Sequence, residues 1–159
     1  DVPWTAALEN KKVLVVHPFA ETIQKQYLRK ELIHKDPRVL PTFDLQTIKA
    51  IQTIGNQGDG RFETWFDALE IDKMDYDVCL LGCGAYGMPL AAHVKRSGKK
   101  AVHLGGSLQL LFGIRGARWE NSNYNATYNY SKLMNEFWVK PSATETPSKA
   151  QQVEEGCYW

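Results

Sequence analysis

Val78-Cys79-Leu80-Leu81-Gly82-Cys83-Gly84-Ala85-Tyr86-Gly87 is the stretch of sequence that decides the fold. Its first four residues form an apolar run typical of a strand that is buried on both faces of a sheet. The glycines that follow have the G-x-G-x-x-G spacing of a turn that leads from a strand into a helix and lets backbone amides approach a phosphate. The stretch therefore predicts a strand, a tight turn suited to an anion, and the start of a helix.

The residues after this turn predict a helix and another strand. Pro89 suits the first turn of a helix, Lys95 and Arg96 suit its last turn, and Gly98 suits the position just beyond its end. Residues 101–104 then form another short buried run. A strand, a helix and a strand within about 30 residues predict a βαβ unit with parallel strands.

The N-terminal part of the chain supplies a further buried strand, Val13 to Val16, which ends at His17 and Pro18. A helix is predicted after it, up to the stop at residues 36–37. Its apolar stripe consists of Ile23, Tyr27, Leu28 and Leu32. Residues 39–45 are predicted as an edge strand because of Pro41, and residues 45–54 fit neither a clean strand nor a long helix. We therefore predict an α/β fold, a Rossmann-like three-layer sandwich with a mostly parallel sheet.

Two further features concern the helices and the domain division. Phe62, Trp65, Phe66 and Leu69 have the spacing of a buried helix face. After Trp119 the composition shifts to Asn, Tyr, Ser and Thr, and helices are predicted around residues 133–138 and 146–156. We divide the chain into a Rossmann-like core, residues 1–120, and a helical or irregular C-terminal extension, residues 121–159, packed on that core.

Composition narrows the classes of partner. The 159 residues include 19 basic and 18 acidic ones, and a net charge of +1 gives no electrostatic case for nucleic acid. The apolar runs are far below the length of a membrane span, and the start does not resemble a signal peptide. Three cysteines without Cys-x-x-Cys spacing fit a reduced, cytoplasmic setting. A preceding domain or a homo-oligomer would be compatible with this composition.

Ligands of open parallel sheets bind at the carboxyl ends of the strands, which is where the distinctive residues of this chain fall. His17 and His103 end predicted strands, and Gly105-Gly106-Ser107 forms a second glycine turn at the head of a helix. Arg115 and Arg118 are suited to bidentate phosphate contacts. The predicted ligand-binding residues are His17, Gly82, Gly84, Ala85, Tyr86, Gly87, His103, Gly105, Gly106, Ser107, Arg115 and Arg118.

Each of these features also has an interpretation without a ligand. The glycines could serve only close packing of strands and helices, the histidines could be structural, and the arginines could be solvated. No carboxylate follows the strand that ends at His103, which argues against ordinary NAD binding. The sequence shows no metal-ligand cluster and no nucleophile motif, so we assign no metal, no certain cofactor and no catalytic residue.

From Lys11 to Trp159 the chain resembles a family of proteins with a GT-D-like fold, named after a fold of glycosyltransferases. The likeness lies in residues 13–19, 82–87 with 89–92, 103–106, 111–114, 118–119 and 156–159. The resemblance implies a glycosyltransferase-related domain that binds a nucleotide sugar or sugar phosphate, in the synthesis of a surface polysaccharide. The Asp-x-Glu motif that such enzymes use for a metal and the nucleotide sugar is absent from this sequence. The alternative is a noncatalytic module that binds a nucleotide or phosphate, or that docks a partner within a larger protein.

Overall fold

The structure, a computed structural model, describes residues 1–51, 71–123, 125, 127–152 and 154–159. Its centre is a sheet of four parallel strands: β1 (Lys12–His17), β2 (Asp44–Lys49), β3 (Val78–Leu81) and β4 (Lys100–His103). Their order across the sheet is β2-β1-β3-β4. This is the predicted α/β, Rossmann-like architecture.

Helices and irregular segments cover both faces of the sheet. The described residues contain helices α1 (Ala20–Tyr27), α2 (Gly87–Arg96), α3 (Leu108–Leu111) and α4 (Ala117–Glu120), together with short 3-10 turns. Side chains alternate along a strand, so Val13 and Val15 pack on one face with α1, whereas Leu14 and Val16 pack on the other face with α2. The helices that follow β1 and β3 therefore lie on opposite faces of the sheet.

The three predicted buried runs are confirmed as strands, although β4 is only partly buried, whereas the predicted edge strand is misplaced. The strand lies at residues 44–49 rather than 39–45, and only its first residues overlap the prediction. As an outer strand of the sheet, β2 is only partly buried and carries polar residues such as Gln46 and Thr47. A strand of this kind has no continuous apolar run, which is why its segment carried no clear signal.

The predicted helices are longer than those in the structure. α1 ends at Tyr27, and Leu28 is 86% exposed, so Leu28 was wrongly placed on the buried stripe. The predicted helices near residues 133–138 and 146–156 are short 3-10 turns, Tyr130–Leu133, Ala150–Gln152 and Glu154–Gly156, within irregular chain. The aromatic helix face at residues 62–69 lies outside the described residues.

The C-terminal segment packs on the face that carries α1. Trp138 and Trp159 are buried in the same core cluster as Val13 and Val15. The carboxylate of Glu145, itself buried, accepts hydrogen bonds from the backbone N–H of Thr22 at 3.0 Å and from its hydroxyl at 2.5 Å. These contacts bring the end of the chain next to the carboxyl end of β1. Within the described residues, no helix has the length and hydropathy that a membrane crossing requires.

Candidate functional site at the strand ends

A small cavity lies where the chain changes direction in the sheet. β1 is followed by β2 on one side, and the chain then returns to place β3 on the other side of β1. The connections that leave β1 and β3 diverge, which opens a crevice between their carboxyl ends, the usual ligand position in such sheets. The cavity there has a volume of about 100 Å³. Six of the residues predicted from sequence line it: His17, Gly82, Gly84, His103, Gly105 and Gly106.

His17 contributes a neutral imidazole to the cavity wall. Its side chain is buried, and Nδ1 accepts a hydrogen bond of 2.9 Å from the backbone N–H of Phe19. Burial lowers the pKa of His17 from 6.5 to about 3. Because Nδ1 acts as an acceptor, the proton of the neutral ring is on Nε2. No described residue accepts that proton, so Nε2–H remains as a donor.

Gly82 and Gly87 allow close packing around the site. A Cβ on Gly82 would lie 2.7 Å from both the carbonyl oxygen of Gly105 and Cδ2 of His17. A Cβ on Gly87 would lie only 2.1 Å from Cε1 of His103. The packing interpretation therefore applies to these two glycines: the first brings the two turns and His17 together, and the second accommodates the His103 ring.

Gly84 and Gly105 have a different role, because each has a positive φ, 62° and 56° respectively. Side-chain-bearing residues rarely adopt this conformation. Each glycine begins a 3-10 turn, Gly84–Tyr86 before α2 and Gly105–Ser107 before α3. The first amides of a helical turn have no acceptor within it, so both turns present N–H donors at the strand ends. Nothing lies within 4 Å of the position that a Cβ on Gly105 would occupy.

His103 lines the cavity from the end of β4. Its Nδ1 is buried and has no hydrogen-bond partner among the described residues. The ring is held against Gly87, and the hydrogen-bonding capacity of this nitrogen is not used by any described residue. Among the described residues, no group of three or more His, Cys, Asp or Glu is placed to hold a metal ion.

Sequence reasoning missed Gln109, which lines the cavity from α3. Its side chain is fully buried, and Nε2 donates to the carbonyl oxygens of Ile114, Arg115 and Tyr158 at 3.4, 3.0 and 3.2 Å. Its Oε1 is buried without a partner among the described residues. A single glutamine in an apolar segment gives no motif, so only the fold exposes this unpaired acceptor.

Tyr158 also lines the cavity and was not among the predicted ligand-binding residues. Its ring packs against Gly106, where a Cβ would lie 2.3 Å from Cε1 of Tyr158. Nη1 of Arg118 donates to the Tyr158 hydroxyl at 2.9 Å, and the guanidinium carbon lies 4.8 Å from the ring centroid. Arg118 therefore supports the cavity wall through Tyr158 and is not itself a lining residue.

The remaining predicted residues are close in sequence to residues that line the cavity but do not line it themselves. Ala85 is exposed, and Tyr86 packs against the core cluster on the α2 face. The Ser107 hydroxyl donates to the carbonyl oxygen of Leu104 at 2.6 Å, so its proton is not directed to a ligand in this structure. Arg115 forms an ion pair with Glu120 at 2.5 Å. The structure thus gathers the glycine turns and the histidines, but not the arginines.

A larger cavity, of about 520 Å³, lies at the opposite edge of the sheet, where β3 and β4 begin. Trp4, Leu8, Val78 and Val102 form its apolar walls, and Lys11 and Lys100 lie at its border. None of the residues predicted to bind a ligand lines it. Volume alone would favour this cavity, but the turns and unpaired polar atoms are at the strand carboxyl ends.

None of the protein families, curated proteins and solved structures compared with this chain matches it at a significant level.

Proposed function

We propose that this chain binds a small phosphate-bearing ligand, such as a sugar phosphate, with one phosphate-sized group in the cavity between the ends of β1 and β3. One observation carries the proposal: His17, both glycine turns and Gln109, whose Oε1 is unpaired among the described residues, line a single cavity at the position where such sheets bind ligands. The amides of the turns and Nε2–H of His17 are the donors for the phosphate oxygens.

The electrostatics of the cavity suit an anion held by dipoles rather than by ion pairs. Its described lining contains no Lys, Arg, Asp or Glu side chain. Burial keeps His17 neutral at physiological pH. Backbone amides at the start of helical turns bind anions without a formal positive charge, and the lining places no carboxylate against the ligand.

The size of the cavity limits which part of a ligand enters it. Sites that enclose a whole drug-sized ligand have volumes of roughly 300–1,000 Å³, compared with about 100 Å³ here. One phosphate-sized group therefore occupies the cavity, and the sugar or nucleoside lies over its open side. This comparison favours a sugar phosphate over a complete, enclosed nucleotide sugar.

The lining also favours binding over group transfer. Transfer from a nucleotide sugar requires a metal or cations that stabilise the charge developing on the leaving diphosphate. Among the described residues, the lining provides neither carboxylates for a metal nor a cationic side chain. A glycosyltransferase-related activity, implied by the resemblance of the glycine turns and strand ends, is the second candidate function.

A thermal-shift panel tests the proposal. It compares glucose 1-phosphate, inorganic phosphate, UDP, UDP-glucose and NAD, with glucose as the ligand that lacks phosphate. A ligand at 100 times its Kd stabilises a protein by about 2.7 kcal/mol, which raises the Tm of a domain of this size by roughly 5–10 °C. We expect that shift with glucose 1-phosphate and not with NAD. Stabilisation by none of the phosphate-bearing ligands would overturn the proposal.

A further inference from the structure

The orientation of the Gln109 side-chain amide is fixed by its surroundings. Its Nε2 faces three carbonyl oxygens, those of Ile114, Arg115 and Tyr158, at 3.0 to 3.4 Å. An oxygen in that position would be repelled by all three carbonyls, because each is an acceptor only. The amide cannot reverse, and Oε1 must be the atom left without a partner.

An unpaired acceptor is costly in a fully buried side chain. Gln109 has no exposed surface, and no described residue donates to Oε1. The great majority of buried polar atoms in proteins have a hydrogen-bond partner, which is a protein group, a water molecule or a ligand. Gln109 is one of the residues that line the cavity, and a bound group with a proton to donate that reaches Oε1 would satisfy it.

Apart from Nδ1 of His103, whose role depends on the tautomer of the ring, the other identified polar groups of the cavity are donors. They are Nε2–H of His17 and the leading amides of the two glycine turns. A tetrahedral oxyanion without a proton satisfies these donors but leaves Gln109 facing another acceptor. An oxyanion with one protonated oxygen satisfies both kinds of group.

We infer that Gln109 makes the cavity selective for an oxyanion that carries a proton, so that it binds inorganic phosphate or a phosphate monoester in preference to sulfate or a phosphodiester. This inference rests on the proposed function and names the ligand class within it. Inorganic phosphate retains a P–OH group at neutral pH, whereas sulfate and phosphodiesters have none. A terminal sugar phosphate, whose second pKa is about 6, fits this requirement in its monoanionic form, and the bridging diphosphate of a nucleotide sugar does not. A sugar hydroxyl could supply the same proton, so the test separates the two sources.

The test is a titration of the full chain followed by amide chemical shifts in NMR spectra, at constant ionic strength and pH 6.5. The ligands are inorganic phosphate, sulfate, dimethyl phosphate and glucose. A hydrogen bond to a buried group, together with the penalty for leaving that group unpaired, corresponds to about a tenfold change in affinity. We therefore expect phosphate to bind about tenfold more tightly than sulfate or dimethyl phosphate. The shifts should include the amides of Gly105 and Gly106.

The outcomes separate this inference from the proposed function. Equal affinity for phosphate and sulfate at these amides would overturn the role of Gln109 and leave the anion site in place. Binding of glucose at the same amides, as tight as that of phosphate, would assign the proton to a hydroxyl and overturn the phosphate preference. If neither oxyanion shifts these amides, the proposed function fails together with the inference.

A substitution provides an independent measurement. Gln109→Met keeps a long side chain but removes Oε1, so the preference for phosphate over sulfate should disappear. The matched control is Gln152→Met, at an exposed position in the C-terminal segment, and it should keep the preference. An unchanged preference in folded Gln109→Met would overturn the inference. Because Nε2 of Gln109 donates to three carbonyl oxygens, the substitution could also prevent folding. In that case the comparison of phosphate with sulfate on the natural chain tests the inference.

Discussion

The backbone N–H of Phe19 donates a 2.9 Å hydrogen bond to Nδ1 of His17, joining the end of β1 to the start of α1. This bond requires an unprotonated Nδ1. Protonation of the ring would break the bond and place a charge in a fully buried position. The turn after β1, and with it one wall of the cavity, therefore depends on a neutral histidine.

The free energy of unfolding should decrease as the pH is lowered, because of His17. Its pKa is about 3 in the folded chain against an ordinary value of 6.5, so the unfolded chain binds the proton first as pH falls. The stability that His17 contributes is complete above pH 6.5 and is lost towards pH 3. From pH 7 to pH 5 the loss is about 2 kcal/mol, measurable by urea unfolding.

His17→Asn is the control for this prediction. Its Oδ1 can accept the N–H of Phe19, but the side chain does not titrate. Acidic groups with lowered pKa values, such as Asp36 and Asp75, also make the protein less stable as the pH falls. These groups are present in both proteins, so their contribution cancels in the comparison. The variant should therefore lose about 2 kcal/mol less than the natural chain over this range. Equal losses in the two proteins would contradict the assignment.

Gly87→Ala should destabilise the protein through the ring of His103. Alanine normally stabilises a helix relative to glycine, but here its Cβ would lie 2.1 Å from Cε1 of His103. We expect a loss of about 1–3 kcal/mol in the free energy of unfolding. Adding His103→Ala removes the clash, so a double-mutant cycle should show a coupling of about 1 kcal/mol or more. Additive effects would mean that the two residues are not in contact.

Two variants of Tyr158 distinguish the role of its ring, which forms a wall of the cavity, from the role of its hydrogen bond with Arg118, which supports that wall. Tyr158→Phe keeps the ring against Gly106 and removes the hydroxyl that accepts a hydrogen bond from Arg118, so it should lower stability by about 1 kcal/mol and leave phosphate affinity unchanged. Tyr158→Ala removes the wall and should weaken binding about tenfold. Calorimetric titration of both variants distinguishes these roles. Equal weakening in the two would show that the hydroxyl itself contacts the ligand.

The sequence was sufficient for the elements that are buried and local. β1 and β3 are buried apolar runs, β4 contains a short run that is only partly buried, and residues 82–87 have the spacing of a strand-to-helix connection. β2 escaped detection because an outer strand is half exposed and carries polar residues. The extent of α1 was overestimated because apolar spacing alone cannot show that Leu28 faces solvent.

The candidate site was only partly predictable, and the reason is topological. Residues at strand ends could be inferred, since parallel strands share a carboxyl edge. Tyr158 reaches the cavity from the far end of the sequence, and Gln109 becomes informative only once its amide meets three carbonyls. The arginines were grouped with the site because they follow α3, but a side-chain partner engages each, Glu120 for Arg115 and Tyr158 for Arg118.

The chain should not transfer the sugar of UDP-glucose. Among the described residues, the lining of the cavity supplies neither carboxylates for a metal nor cations for the leaving diphosphate. With Mg²⁺ or Mn²⁺ present, UDP release should not exceed the rate without protein. Turnover that is lost in His17→Asn would show that the cavity performs chemistry and would favour the second candidate function.

Calorimetric titration of glucose 1-phosphate into two glycine variants tests most directly whether the cavity at the strand ends binds phosphate. Gly105 and Gly98 both have a positive φ and both leave open space for a Cβ, but Gly105 lines this cavity and Gly98 lies at the opposite edge. Alanine at either position costs a similar strain, about 1–2 kcal/mol of stability. We expect Gly105→Ala to weaken binding about tenfold or more, because it adds a methyl group next to the turn amides that we propose bind the phosphate, while Gly98→Ala binds like the natural chain. Equal affinities in the two folded variants, or a loss confined to Gly98→Ala, would contradict a phosphate site at the strand ends.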